Sequence, residues 1–241
     1  LVLFTCLAQA AVGMVLLLAL SPWRQEAAAP RGNLFADRLR APGGMALATA
    51  LVLFGLGVIF SLLHLSDPLI SFYSITNLAT SWLSREILFV GLFGVSTLAL
   101  FFLRNRLLAI VAALFGLGLI YVMSMVYMTP PVPFWKSSLT LWVFLATALL
   151  LGSATLLCLR GIRGRDTGML PLVVVLAAVL RLGLNPAQVI HGYLLAAPAM
   201  PMPDLLYLPA GGIGLGLAVP VLGFWDRLRP TPGFPPLPSH A

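Results

Sequence analysis

SLLHLSDPLISFYSITNLATSWLSREI, residues 61–87, is the stretch on which the reading of this chain turns. It carries His64 at the end of one hydrophobic run and Arg85-Glu86 at the start of the next, with Tyr73, Ser81, Trp82 and Ser84 between them. Nearly everything on either side is apolar. Polar groups inside so apolar a chain are costly unless they have partners or a task.

The composition excludes a water-soluble domain. Of 241 residues, 60% are hydrophobic and only 9% charged, with a mean hydropathy of +1.03, whereas soluble domains carry about 25% charged residues. The apolar runs are close to the ~20 residues of helix that cross a ~30 Å hydrocarbon core. The alternating pattern of a membrane β-barrel is absent. The expected class is therefore an all-α, polytopic transmembrane helix bundle. The chain begins with Leu1, so a short preceding piece is expected. Residues 1–20 are too long for the apolar region of a signal peptide and no small-residue cleavage site follows, which makes them a membrane helix.

Seven spans are expected, at 1–20, 45–65, 85–103, 107–128, 139–159, 169–184 and 205–225, with an eighth possible. Residues 21–44 read as an irregular, solvated loop, and Asp67-Pro68 breaks the chain after the second span. The apolar piece 187–200 is short and bounded by prolines, so it reads as interfacial or re-entrant. A GGIGLG run in 205–225 permits close helix packing. Residues 1–225 then form a single integral-membrane bundle, and 226–241 a Pro-rich tail.

The net charge of +7 is a topology signal rather than a nucleic-acid footprint. Eleven Lys/Arg fall in the loops and tail of one face and three, Arg85, Lys136 and Arg181, on the other. The eleven belong in the cytoplasm, which places the N-terminus, His64, Arg85 and Glu86 on the outer side. Trp23 and Trp225 then fall at the inner interface, and Trp82, Trp135 and Tyr207 at the outer one. Cys6 and Cys158 lie near opposite membrane faces and outside any CxxC pair, which removes the basis for a disulfide between them and for iron–sulfur or covalent haem ligation.

Three readings are open for His64. It can be an interfacial histidine bonded to a backbone carbonyl. It can exchange a proton and a hydrogen bond with a quinone headgroup. It can ligate haem, which normally needs paired histidines on facing helices. Gly57, Ser61 and His64 share a helix face. Arg85-Glu86 reads equally as a helix start, with Ser84 as cap, glutamate at the positive helix end and arginine snorkelling, or as a carboxylate that passes protons to water. Gln9 is an amide within the membrane that either bonds a neighbouring helix or lines a cavity. Tyr121, Tyr127, Trp135 and Trp142 read as interfacial belt, while Tyr73 and Trp82 sit inside the key stretch.

With these residues in view, HLSDP followed by TNLATSWLSREIL resembles the integral-membrane anchor subunits of complex iron–sulfur molybdoenzymes, above all those of the dimethyl sulfoxide reductase anchor-subunit family. LVLFTCLAQAAVG is similar to that family's first helix and VYMTPPVPFW to its loop between helices 4 and 5. The resemblance extends over residues 1–225. It implies an anchor that binds quinone or quinol (menaquinone or ubiquinone), carries no haem or metal, and holds an iron–sulfur electron-transfer subunit joined to a molybdopterin catalytic subunit with a Mo/W-pterin. Its site residues map onto His64 and Glu86. Two departures stand out: relatives usually have eight helices, and many carry an arginine where this chain has Leu69-Ile70.

The expected function is thus the quinone-reactive membrane anchor of a bacterial inner-membrane oxidoreductase involved in anaerobic respiration. The quinone site lies near the outer face, between the second and third spans. His64 and Glu86 carry the proton chemistry, and Tyr73, Trp82, Arg85 and Gln9 complete the quinone-binding set. Arg85 holds the Glu86 charge or contacts the partner. Two rivals are a haem b-bearing anchor and a secondary transporter. The latter usually shows broken helices and buried charges at mid-membrane, whereas the charges here are expected at helix ends.

Overall fold

In the computed structural model the described residues are 2–21, 33–63, 77–129, 135–164 and 166–196. They form seven α-helices and no strand: α1 Val2–Leu20, α2 Leu34–Arg40, α3 Gly44–Leu63, α4 Trp82–Leu103, α5 Arg106–Met128, α6 Leu139–Ile162 and α7 Leu170–Ala196. Six of these, all but α2, are long and apolar enough to cross a membrane. The expected span at 205–225, the tail at 226–241 and the segment 64–76 with His64 and Tyr73 lie outside the described residues.

Helix α1 is the core of the bundle. It packs against α3, α5 and α6, while α4 bridges α3 and α5, and α7 leans on the far side of α6. The apolar window of α1 is 61% buried, against 22% for α3 and 28% for α7, so the lipid-facing helices are the outer ones. Packing, rather than a hydrophobic gradient, holds such helices together, and small residues allow the closest approach. The α1–α6 crossing shows this. A Cβ on Gly13 would strike the carbonyl of Ala148 and lie 3.1 Å from the Gly152 Cα, and a Cβ on Gly152 would lie 2.6 Å from the Gly13 Cα and the Met14 nitrogen. Elsewhere aromatic rings fill the gaps, as where Phe54 of α3 meets Phe93 of α4 edge-on at 4.9 Å.

The structure corrects the sequence reading in three places. The loop expected to be irregular contains α2, whose first turn is capped by Asn33: its side-chain oxygen accepts from the Phe35 and Ala36 amides at 3.1 and 3.2 Å. Helix α4 begins at Trp82 rather than Arg85. Its cap is Ser81, whose hydroxyl accepts from the Ser84 amide at 3.3 Å, so Ser84 is the recipient and not the cap.

The third correction is the largest. The short span at 169–184 and the interfacial piece at 187–200 are in fact one helix that runs through Pro186 to Ala196. Asn185-Pro186 looks like a stop, yet proline removes a single backbone donor, and neighbouring helices make such interruptions tolerable within membranes. Here α6 supplies the support. Arg181 Nε donates to Thr147 Oγ1 at 2.9 Å, and Gln188 Nε2 to Thr140 Oγ1 at 3.1 Å. Both donors and both acceptors are seven residues apart, so one face of α7 meets one face of α6 along a polar seam. Arg181, counted above among charges at helix ends, therefore lies well inside a span.

Candidate functional site

Among the buried polar residues, Thr5, Gln9, Ser84, Glu86, Ser124 and Thr140 lie toward one end of the bundle, that of the N-termini of α1, α4 and α6 and the C-terminus of α5. Glu86 is in the second turn of α4 and only 5% exposed. Ser81 starts the helix early enough to place Glu86 on the inward side, one residue round from the outward-facing Arg85. Tyr127 comes from the last turn of α5 and is 9% exposed. Its hydroxyl shares a 2.9 Å hydrogen bond with Thr5 Oγ1 of α1. Its ring is wedged edge-on between Trp135 and Phe144, with centroids 5.1 and 5.2 Å away. Glu86 is near enough to Tyr127 for the two to interact electrostatically. Gln9, one turn below Thr5 on the same face of α1, is 3% exposed.

Neither Glu86 nor Gln9 has a hydrogen bond or ion pair among the described residues. A carboxylate and an amide buried without partners in an apolar bundle are costly, and they are the groups here with capacity left for a ligand. The Glu86 carboxylate can carry a proton. The Gln9 amide can donate to a carbonyl and accept from a hydroxyl.

Arg85 does not pair with Glu86. Its Nε donates to the Leu78 carbonyl at 2.8 Å and its Nη2 to the Ala79 carbonyl at 2.7 Å, while its Cζ sits 4.2 Å from the centre of the Trp82 ring. Adjacent residues on a helix point in different directions, so the two charges separate by geometry. Trp82 in turn meets Tyr121 edge-on at 6.1 Å. Arg85 and Trp82 thus clamp the approach to α4, and Glu86 stays inside.

Of the residues proposed from sequence, Gln9 and Glu86 are buried, and Trp82 and Arg85 pack on each other at the start of α4. His64 and Tyr73 lie outside the described residues. Sequence reasoning missed Thr5 as a site residue and placed Tyr127 in the interfacial belt. Tyr121, Trp135 and Trp142 are exposed, as a belt requires, but Tyr127 is buried. No local signal distinguishes it, because its partner Thr5 is 122 residues away.

Six membrane-length helices with a carboxylate enclosed at one end define a polytopic helical membrane protein with an intramembrane polar site. Comparison with known proteins narrows this. Residues 1–197 match the family described as DMSO reductase anchor subunit (DmsC). The protein is also similar to the C subunit of the anaerobic dimethyl sulfoxide reductase of Haemophilus influenzae, with 32% identity over 163 residues that make up 63% of this sequence and 54% of the relative. It thus spans about half the length of that curated relative. No solved structure matches it. The chain belongs to the DMSO reductase anchor subunit family.

Proposed function

We propose that this chain is the quinone-reactive membrane anchor of a molybdopterin/iron–sulfur oxidoreductase in the bacterial inner membrane. The observation that carries the reading is Glu86: a buried carboxylate that interacts electrostatically with Tyr127 and has no hydrogen bond or ion pair among the described residues. An oxidoreductase that draws on the quinone pool must move protons between a headgroup and water, and a buried carboxylate at a membrane edge is suited to that task.

Oxidation of a quinol releases two electrons and two protons; the electrons pass to the nearest cluster of an iron–sulfur partner subunit and on to the molybdopterin subunit. The protons are the business of this chain. His64 hydrogen-bonds one headgroup oxygen and takes its proton. Glu86 takes a proton at its carboxylate and returns it to water. Gln9 supplies an amide to orient the headgroup, and the Thr5–Tyr127 hydroxyl pair fixes the wall against which it sits. Trp82 and Arg85 close the outer edge, with Tyr73 of the intervening segment completing the set.

His64→Ala tests the assignment in the assembled complex. Quinol-linked turnover is expected to fall at least about 100-fold, the low end of what a proton-transferring group contributes. Turnover driven by an artificial donor to the partner subunits should stay at the wild-type level. Quinol-linked turnover near wild type would remove His64 from the mechanism.

The site is proposed to face outward, because the basic loops hold the opposite end of the bundle in the cytoplasm. The iron–sulfur partner then docks on the outer side, against 66–84 and the loop 129–138. Ser138 precedes α6, is exposed and makes no side-chain cap bond, so a cysteine there is a benign reporter. In a variant with Cys6 and Cys158 replaced by alanine, Ser138→Cys should react with a membrane-impermeant thiol reagent in spheroplasts that lack the partner subunits. Labelling only after lysis would reverse the orientation.

A further inference from the structure

The opposite end of the bundle holds a cavity of about 550 Å³ between the last turns of α1 and α6 and the first turn of α3. Its inner wall is hydrocarbon, from Leu18, Met45, Leu156 and Leu159. Its mouth carries Arg160 and Arg163, with the carboxylate of Asp166. Asp166 is already engaged, since its Oδ1 accepts from the Gly168 amide at 3.0 Å. No ion pair within 4.0 Å joins Arg160 or Arg163 to a carboxylate among the described residues, so two cations face one carboxylate at the mouth.

The surroundings are positive as well. Arg104, in the turn between α4 and α5, donates to the Pro42 carbonyl beside the cavity wall. Its guanidinium is held below the usual arginine range, first by burial and then by the positive charge of Arg38 nearby. Arg38, Arg104 and Arg106 lie at the same end of the bundle as Arg160 and Arg163. A layered site, apolar toward the bundle and basic toward the water, matches a molecule with hydrocarbon chains and an anionic head. Basic pockets between transmembrane helices are where anionic headgroups bind, and arginine offers paired donors to phosphate oxygens.

We propose that this cavity binds an anionic phospholipid of the phosphatidylglycerol or cardiolipin class. Arg160 and Arg163 hold the headgroup phosphate, and Leu18, Met45, Leu156 and Leu159 receive the upper acyl chain. The hydrocarbon wall favours a lipid over free phosphate, because a bare ion gains nothing from it. The site is separate from the one at Glu86 and does not depend on its function.

Native mass spectrometry of the full-length protein, purified and delipidated in detergent, tests this with three probes: phosphatidylglycerol, phosphatidylcholine and inorganic phosphate. The wild type should bind one phosphatidylglycerol with about thirtyfold preference over phosphatidylcholine. That figure follows from about 1 kcal/mol for each of two basic residues. R160Q/R163Q should lose this preference and R160K/R163K should retain most of it. R106Q, which alters an exposed cation at the same end but outside the cavity, should leave it unchanged. Equal binding of the two lipids by the wild type would overturn the proposal even if the double variant fails to fold. So would an unchanged preference in R160Q/R163Q, an equal loss in R106Q, or inorganic phosphate displacing the lipid at equal concentration.

Discussion

Gly152→Leu is expected to eliminate the folded protein from detergent extracts of membranes. A side chain at Gly152 would enter the backbone of α1, with the Gly13 Cα and the Met14 nitrogen 2.6 Å from its first carbon. Rotamer changes cannot relieve a clash with backbone. The two helices must separate, and the tightest contact of the central helix is lost along its length. Ordinary overpacking costs about 1–3 kcal/mol; forcing two helix backbones apart exceeds that range and falls among the rare, severe substitutions. Gly13→Leu should do the same from the other side. Gly55→Ala and Gly91→Ala serve as controls: nothing lies within 4 Å of a Cβ at either position, and alanine favours helix over glycine by about 1 kcal/mol. Size-exclusion profiles of a fluorescent fusion would show a single peak for the controls and aggregate for the leucine variants. A monodisperse Gly152→Leu protein with wild-type thermal stability would mean that α1 and α6 do not cross as described.

Glu86→Gln should lower quinol-linked turnover by about 100-fold or more, within the range for removing a group that transfers protons, and leave assembly intact. The substitution keeps the shape of the side chain and removes only its ability to take up a proton. Since no described residue bonds to the carboxylate, no structural contact is forfeited. Tyr127→Phe provides the contrast. It deletes the 2.9 Å bond to Thr5, which within a membrane is worth about 0.6–1.7 kcal/mol, so it should lower thermal stability more than Glu86→Gln does while affecting turnover less. Measuring both variants with quinol and with an artificial donor separates proton transfer from folding. If Glu86→Gln keeps quinol-linked turnover within twofold of wild type, Glu86 is not a proton carrier.

How far these features can be read from sequence depends on whether their cause is local. The all-helical membrane class follows from composition, and α1, α3, α5 and α6 begin within about a residue of the expected positions because a bilayer fixes the length of an apolar run. Helix α7 escaped because Asn185-Pro186 and Arg181 look like the end of a span, and only Thr140 and Thr147 on another helix make them tolerable inside it. Helix α2 is too short to leave a periodic signature, although Asn33 before LFAD is a legible cap. At the site, Glu86 was legible as a candidate by its place in a polar stretch and Gln9 by its isolation in an apolar helix, while their burial depends on the helices around them. The Arg85–Glu86 association suggested by adjacency fails for a reason that helix geometry supplies: neighbours in sequence diverge in direction. Tyr127 could not be told from Tyr121 six residues earlier, since burial of one and exposure of the other depend on where α1 lies.

The position of α1 also sets a clock. Gly152, which completes its crossing, follows Gly13 by 139 residues. At translation rates of about 5–20 residues per second, α1 waits roughly seven to thirty seconds before Gly152 of α6 is made to cover it. Throughout that interval its Gly13 face lacks the neighbour it has in the finished bundle. The helix at the centre of the protein is thus among the first made and among the last enclosed, and the cell must shelter it in the meantime.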